Sequence, residues 1–285
     1  MHNSSRRLWS VLSAAFVVFG ALLLAAPAMP ASSAGPTITI WTDKDRNAAV
    51  TKVANDWAGS RGVTVKIVEK NFGDIRDNLK TVATADAPDV IVGAHDWTGE
   101  LAANGLVVPL FPKKATLTQF PSYTLSAFSY GTAVKKLYGA PVAVENIGLV
   151  VNTKLVKVPK TFAQLESEAL AFKKKKSGNL AIAVQQGSNG DAYHMYPFFS
   201  GLGGYIFGKN SAGNLDASNI GVANPAFIKN SPLIDKWNKE GLINAKVDGS
   251  TAQNAFLKQQ AAFWVTGPWN IDTLKKSGLK FQVVQ

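Results

Sequence analysis

Cysteine is absent from all 285 residues. Its absence removes disulfides, thiolate zinc sites and thiol nucleophiles, and leaves no cysteine to carry a lipid anchor. Histidine is nearly as scarce: His2, His95 and His194 are the three in the chain. They stand far apart in sequence, so neither a metal site nor a cofactor is expected. Acidic residues are also in short supply, with 19 Asp and Glu against 30 Lys and Arg, a formal net charge of +11. Nothing matches a P-loop, a dinucleotide fingerprint or a nucleophile elbow, and Gly201-Leu202-Gly203-Gly204 is none of these.

What is present is a globular composition, 46% hydrophobic and 17% charged, in a chain long enough for two domains. Arg6 and Arg7 precede an uncharged apolar run over residues 8–26, followed by Pro27, Pro30 and the small residues Ala31, Ser32, Ser33 and Ala34. This is the pattern of an export signal over residues 1–34, with the mature chain starting at Gly35. The run is also long enough to cross a bilayer, so an uncleaved anchor is the other reading. Either way the protein is expected outside the cytoplasm, periplasmic or extracellular at the cell surface. The densest basic run, Lys173 to Lys176, follows Glu166, Glu168, Ala169 and Ala171. It reads as a solvated helix end, where lysines complement the dipole. Nucleic-acid binding would want basic residues interleaved with aromatics on one face, and none is expected.

Strand and helix patterns alternate along the chain. Residues 37–41 are short and β-branched. Val50, Val53, Ala54 and Trp57 recur at the spacing of one helix face, and Gly59 and Gly62 stop that helix. Val63, Val65 and Ile67 alternate with polar residues as in a strand, and Ile75, Leu79 and Val82 mark a second helix ending before Pro88. Residues 89–92 form a short apolar run of the buried-strand kind. This order predicts parallel pairing with right-handed crossovers, and ligands then gather beyond the carboxyl ends of the strands. Further strands are expected at 141–144, leading to Glu145, and at 147–151, 180–184 and 261–265. A helix capped by Thr161 and another carrying Trp237 on its core face belong to the same pattern.

Several segments together resemble the maltose- and maltooligosaccharide-binding proteins, within the wider family of extracellular solute-binding proteins. They are Ile40-Trp41 with Asp45-Arg46; Ala87-Pro88-Asp89-Val90-Ile91 with Ala94-His95-Asp96; and Tyr138-Gly139-Ala140-Pro141-Val142-Ala143-Val144-Glu145. Tyr196-Pro197 with Gly203-Gly204-Tyr205, and Thr266-Gly267-Pro268-Trp269, complete the match. The resemblance implies an α/β, two-lobed, hinged fold with parallel-rich sheets, residues 35–144 in the first lobe and 145–285 in the second. It implies a non-catalytic monomer that captures maltose or a short α-glucan and hands it to the membrane permease of an ABC importer.

Carried over by position, Asp45 and Arg46 match an acidic–basic pair on sugar hydroxyls, and Asp96 and Glu145 match carboxylates with that role. Asp191 and Tyr193 match ligand residues of the second lobe, and Trp269 a tryptophan on which a sugar ring stacks. The chemistry agrees: ionised carboxylates only accept and can hold two hydroxyls at once, while seven tryptophans and six tyrosines supply flat apolar planes. An Asp–Arg surface pair in a turn is the alternative for Asp45 and Arg46, and an ordinary loop tip for Asp191 and Tyr193. There are departures from the family pattern. Gly93 stands where a first-lobe tryptophan is usual, and Trp97 stands where a basic residue is usual, either as a substitute stacking surface or as the mark of a different sugar register. The family pattern also continues beyond Gln285, so both lobes are expected to be incomplete here. A rival class is an exported glycoside hydrolase using Asp96, Glu145 and Asp191. A third reading keeps the fold with another solute.

Overall fold

The computed structural model describes residues 35–188, 190–213 and 215–284; the expected signal segment lies outside them. No helix among the described residues is long and apolar enough to cross a membrane. The chain divides into two units, Met1–Gly93 and Ala94–Gln285. That boundary falls earlier than the 144/145 division the resemblance implies.

In the first unit, β1 (Thr37–Thr42), α1 (Lys44–Gly59), β2 (Thr64–Glu69), α2 (Phe72–Leu79) and β3 (Val90–Ile91) follow in turn. The sheet order is β2-β1-β3 and both pairings are parallel, as the strand–helix alternation predicts. Gly62 ends the first crossover at φ 64°, a left-handed turn that suits glycine. Asp89 of the Pro-Asp step is structural: its Oδ2 accepts from Thr39 N at 2.8 Å and its own N–H donates to Thr39 O, tying β3 to β1. Ile40, Trp41, Ile75 and Leu79 are buried. The helix face expected to bury Val53 and Trp57 does not: Val53 is 67% and Trp57 43% exposed, and Ala58 is the buried residue of α1. Trp57 is covered instead by the guanidinium of Arg61, 4.9 Å from its ring, which also donates to Trp57 O.

The second unit begins with α3 (Thr98–Ala103), α4 (Lys114–Leu117), α5 (Ser122–Ala127) and a minimal hairpin of β4 (Ser129–Tyr130) and β5 (Lys136–Leu137). Its main elements are β6 (Gly148–Asn152), α6 (Phe162–Lys174), β7 (Ile182–Val184) and α7 (Ala192–Gly201). A second hairpin, β8 (Phe207–Lys209) and β9 (Leu215–Ile220), follows, then α8 (Pro225–Asn230) and α9 (Pro232–Glu240). The last elements are α10 (Gly249–Leu257), β10 (Phe263–Thr266), α11 (Ile271–Lys276) and β11 (Phe281–Val284).

The four-stranded sheet runs β11-β6-β10-β7 and is mixed. β10 lies parallel to β7 and antiparallel to β6, and β11 closes the other edge antiparallel to β6. Its strands are apolar on both faces because both are covered. Val151, Ile182, Val184, Phe263 and Val265 face Leu165, Ala169, Phe172, Phe198 and Trp237. Val150, Ala183 and Trp264 face Ala252, Ala255, Phe256 and Leu274. Thr161 caps α6 as expected, its Oγ1 accepting from Gln164 N at 3.2 Å. Lys173 and Lys174 form the last turn of that helix. Trp237 is buried against Phe162 and Phe198. The strand expected at 141–144 is not formed: Val142 and Val144 are exposed in an irregular segment, with no ladder partner among the described residues.

Candidate functional site

Strand directions bring three segments of the second unit to one end of its sheet. β7 and β10 are parallel with Val184 opposite Val265, so the loop carrying Gln185 and Asp191 and the turn carrying Gly267 and Trp269 leave together at their carboxyl ends. β6 runs the other way, with Gly148 opposite Thr266. Glu145, just ahead of β6, therefore enters at that same end. This is where ligands of open α/β sheets collect.

Asp191 caps α7. Its Oδ1 accepts from His194 N at 2.9 Å, and its Oδ2 accepts from His194 Nδ1 at 3.0 Å and Gln185 Nε2 at 2.5 Å. Burial, the largest single influence, pushes the carboxyl upward. Donation from the His194 side chain and backbone and from Gln185 outweighs it and holds the carboxyl at about 2. An ionised carboxylate only accepts, so the imidazole proton sits on Nδ1. The His194 ring is buried and lies nearly perpendicular to the rings of Tyr193 (5.6 Å, 85°) and Trp269 (5.7 Å, 78°). Tyr193 and Trp269 themselves lie 6.3 Å apart, tilted by 37°.

Trp269 has a floor. A Cβ built on Gly267 would lie 2.7 Å from Trp269 Cε3 and closer still to Cζ3 and Cη2, so the missing side chain is what lets the indole lie over the backbone. The turn is braced behind by Gln253 Nε2 donating to Asn270 Oδ1 at 2.7 Å and Asn270 Nδ2 donating to Thr266 Oγ1 at 2.8 Å. Tyr193 is half exposed. Its phenol is pushed up by burial first, then by the charges of Glu145 and Asp96, which places both carboxylates within electrostatic reach of the tyrosine.

Of the residues singled out from sequence, Asp96, Glu145, Asp191, Tyr193 and Trp269 thus share one neighbourhood. Trp97 does not offer a plane there. It is 7% exposed, and with the buried Leu101 four residues on it forms the inward face of α3 and the turn before it. Asp45 and Arg46 start α1 in the first unit. The ion pair there is not between them: Arg46 binds the buried Asp43 at 2.9 Å, and Asp43 Oδ1 also caps the helix through Asp45 N and Arg46 N. Asp45 is exposed. Sequence reasoning passed over Gln185 and the part His194 plays, and named Gly267 only within the Thr266–Trp269 segment. The Asp-x-x-His spacing, which is that of an N-cap and its N3 residue, is a signal for His194. Among the described residues, no group of three or more histidine or carboxylate side chains is arranged to hold a metal.

Residues 41–285 match the family model described as bacterial extracellular solute-binding protein. The chain belongs to that family, whose members bind solutes and are not enzymes. It is 30% identical to the galactooligosaccharide-binding protein of Bacillus subtilis (strain 168), over 89% of this chain and 60% of the relative. It is 29% identical to the maltodextrin-binding protein MdxE of the same organism, over 96% of this chain and 66% of the relative. Among solved structures it resembles the Thermus thermophilus maltotriose binding protein bound with maltotriose. The TM-score is 0.73 at 26% identity, covering 87% of this chain and 66% of that one. The chain therefore spans 60–66% of the length of these relatives.

Proposed function

We propose that this protein is the extracytoplasmic solute-capturing component of an ABC importer, and that its solute is maltose or a short α-glucan. The observation that carries the reading is the Tyr193–Trp269 pair, two tilted aromatic planes with Asp96 and Glu145 close enough to act on the phenol. Pyranose rings offer apolar C–H faces and a rim of hydroxyls. Aromatic planes desolvate the former, and carboxylates accept from the latter, each charged hydrogen bond contributing roughly 1.5–3 kcal/mol. In the first unit Asp45 and Arg46 are the proposed polar ligand residues. The Thermus and Bacillus relatives named for maltotriose and maltodextrin support the α-glucan assignment.

The relative named for galactooligosaccharides favours a second reading, the same fold and platform with a galactooligosaccharide. Titration of intrinsic tryptophan fluorescence with maltose, maltotriose, longer α-glucans and galactooligosaccharides separates the two. Micromolar binding of the α-glucans, with the sugar recovered intact, is the expected result. Response to galactooligosaccharides alone shifts the assignment to the second reading. Binding of no sugar, with response to another solute class, overturns both.

A further inference from the structure

We infer that Asp191 serves the site by positioning: it locks the His194 imidazole, and that ring in turn holds the Tyr193 and Trp269 planes in place. The inference rests on the proposed carbohydrate function for its consequence, and on geometry alone for its mechanism. Position in the family pattern would make Asp191 a direct sugar ligand, but most of its acceptor capacity is already committed. A carboxylate has about four lone-pair directions. Oδ2 uses two on His194 Nδ1 and Gln185 Nε2, and Oδ1 uses one on His194 N. The side chain is only 19% exposed.

Capping α7 does not require this arrangement, since serine or asparagine would cap as well. The side-chain contact to the imidazole is extra, and it has a consequence. The His194 ring meets both aromatic rings nearly at right angles, the geometry in which one ring's positive rim meets another's π face. Its Nε2 is buried without a hydrogen-bond partner. A ring free to turn would seek a partner for that nitrogen, so this orientation is held from Nδ1. Buried polar atoms left unpaired in a native structure point to a gain elsewhere; here the gain is a fixed aromatic surface, with Gly267 supporting the indole from below.

The test incorporates 5-fluorotryptophan into the 285-residue chain and follows the fluorine resonance of Trp269, assigned through Trp269→Phe. In the unliganded protein, Asp191→Ser keeps the cap but cannot reach the imidazole. It and His194→Ala are each expected to move the Trp269 resonance while leaving those of Trp237 and Trp264 unmoved. Asp191→Asn keeps the cap acceptor and sets an amide N–H against Nδ1, which holds the ring with the imidazole proton moved to Nε2. Its Trp269 resonance is expected near the wild-type position, and His194→Ala carries the test if the serine variant fails to fold. With maltotriose, Asp191→Ser and His194→Ala are each expected to weaken binding roughly tenfold, about the worth of one charge-assisted hydrogen bond. The double variant should be no weaker than the worse single one, because both act through one contact. An unmoved Trp269 resonance in Asp191→Ser, or additive losses in the double variant, overturns the positioning role. If the wild-type chain binds no sugar, the proposed function fails, and the unliganded spectra still decide the positioning.

Discussion

Gly267 offers a sharp perturbation because its backbone is ordinary. At φ −117° and ψ −175° it is extended, a conformation alanine adopts freely. Gly267→Ala therefore adds no backbone strain and removes no hydrogen bond; its effect is confined to the space the new methyl takes. That methyl would sit 2.7 Å from Trp269 Cε3 and nearer to two other ring carbons. Apolar carbons rest at about 3.5–4.0 Å, so the indole must retreat by at least about 1 Å. Its plane then leaves the register it keeps with His194 and Tyr193. A pyranose face covering roughly 40–80 Å² of the ring, at about 25 cal/mol per Å², is worth about 1–2 kcal/mol. Loss of that contact should weaken sugar binding roughly 5- to 30-fold. Calorimetric titration with maltotriose measures the loss, and thermal unfolding confirms that the fold survives. Wild-type affinity in Gly267→Ala, with an unchanged near-UV spectrum, would refute the claim that the glycine exists to seat the tryptophan.

Two further outcomes follow from the charges around the aromatic pair. The Asp191 carboxyl, held at about 2 against an ordinary 3.8, contributes stability that is present above pH 4 and lost as pH falls through about 2. Allowing for its partial exposure, the contribution is about 1–2 kcal/mol. Urea unfolding of wild type and Asp191→Asn should converge between pH 4 and 2, and a gap that stays constant across that window contradicts the hydrogen-bond account. The Tyr193 phenol is raised by burial and by Glu145 and Asp96. Glu145→Gln should therefore lower its titration midpoint, read as the phenolate absorbance that Tyr193→Phe abolishes. The same substitution should weaken sugar binding where Lys174→Gln, on the exposed end of α6, does not. An unmoved Tyr193 midpoint would place Glu145 elsewhere.

Much of the architecture is legible in the residue pattern because each element carries its own signal. The first unit's alternation is read correctly down to its parallel pairings, and Thr161 and Trp237 stand where spacing predicts. What periodicity cannot supply is the identity of the neighbour. Val53 and Trp57 lie on one stripe of α1, yet only Ala58 is buried. An amphipathic stripe states which face is apolar, not how much of it is covered. Residues 141–144 alternate as a strand would, but a strand exists only where a second backbone pairs with it. The antiparallel placement of β6 against β10 is equally invisible locally, although it is what delivers Glu145 to the same end of the sheet as Trp269.

The candidate site repeats that lesson at the scale of single side chains. Asp45 and Arg46 are adjacent in sequence and invite reading as a pair, but successive residues on a helix point apart, and Arg46 reaches back three positions to Asp43. Asp191 and His194 have that same spacing, and there too the carboxylate caps the helix while its side chain engages the residue three places on. An acidic residue at a helix start is thus open to two readings, a ligand for sugar or a holder of its neighbour, and residue type alone cannot choose between them. The choice depends on how many of its lone pairs the protein has already filled. For Asp43 and Asp191 they are largely filled from within the chain. Asp45 and Asp96 are exposed, and it is on such carboxylates that the proposed site relies for hydroxyl recognition.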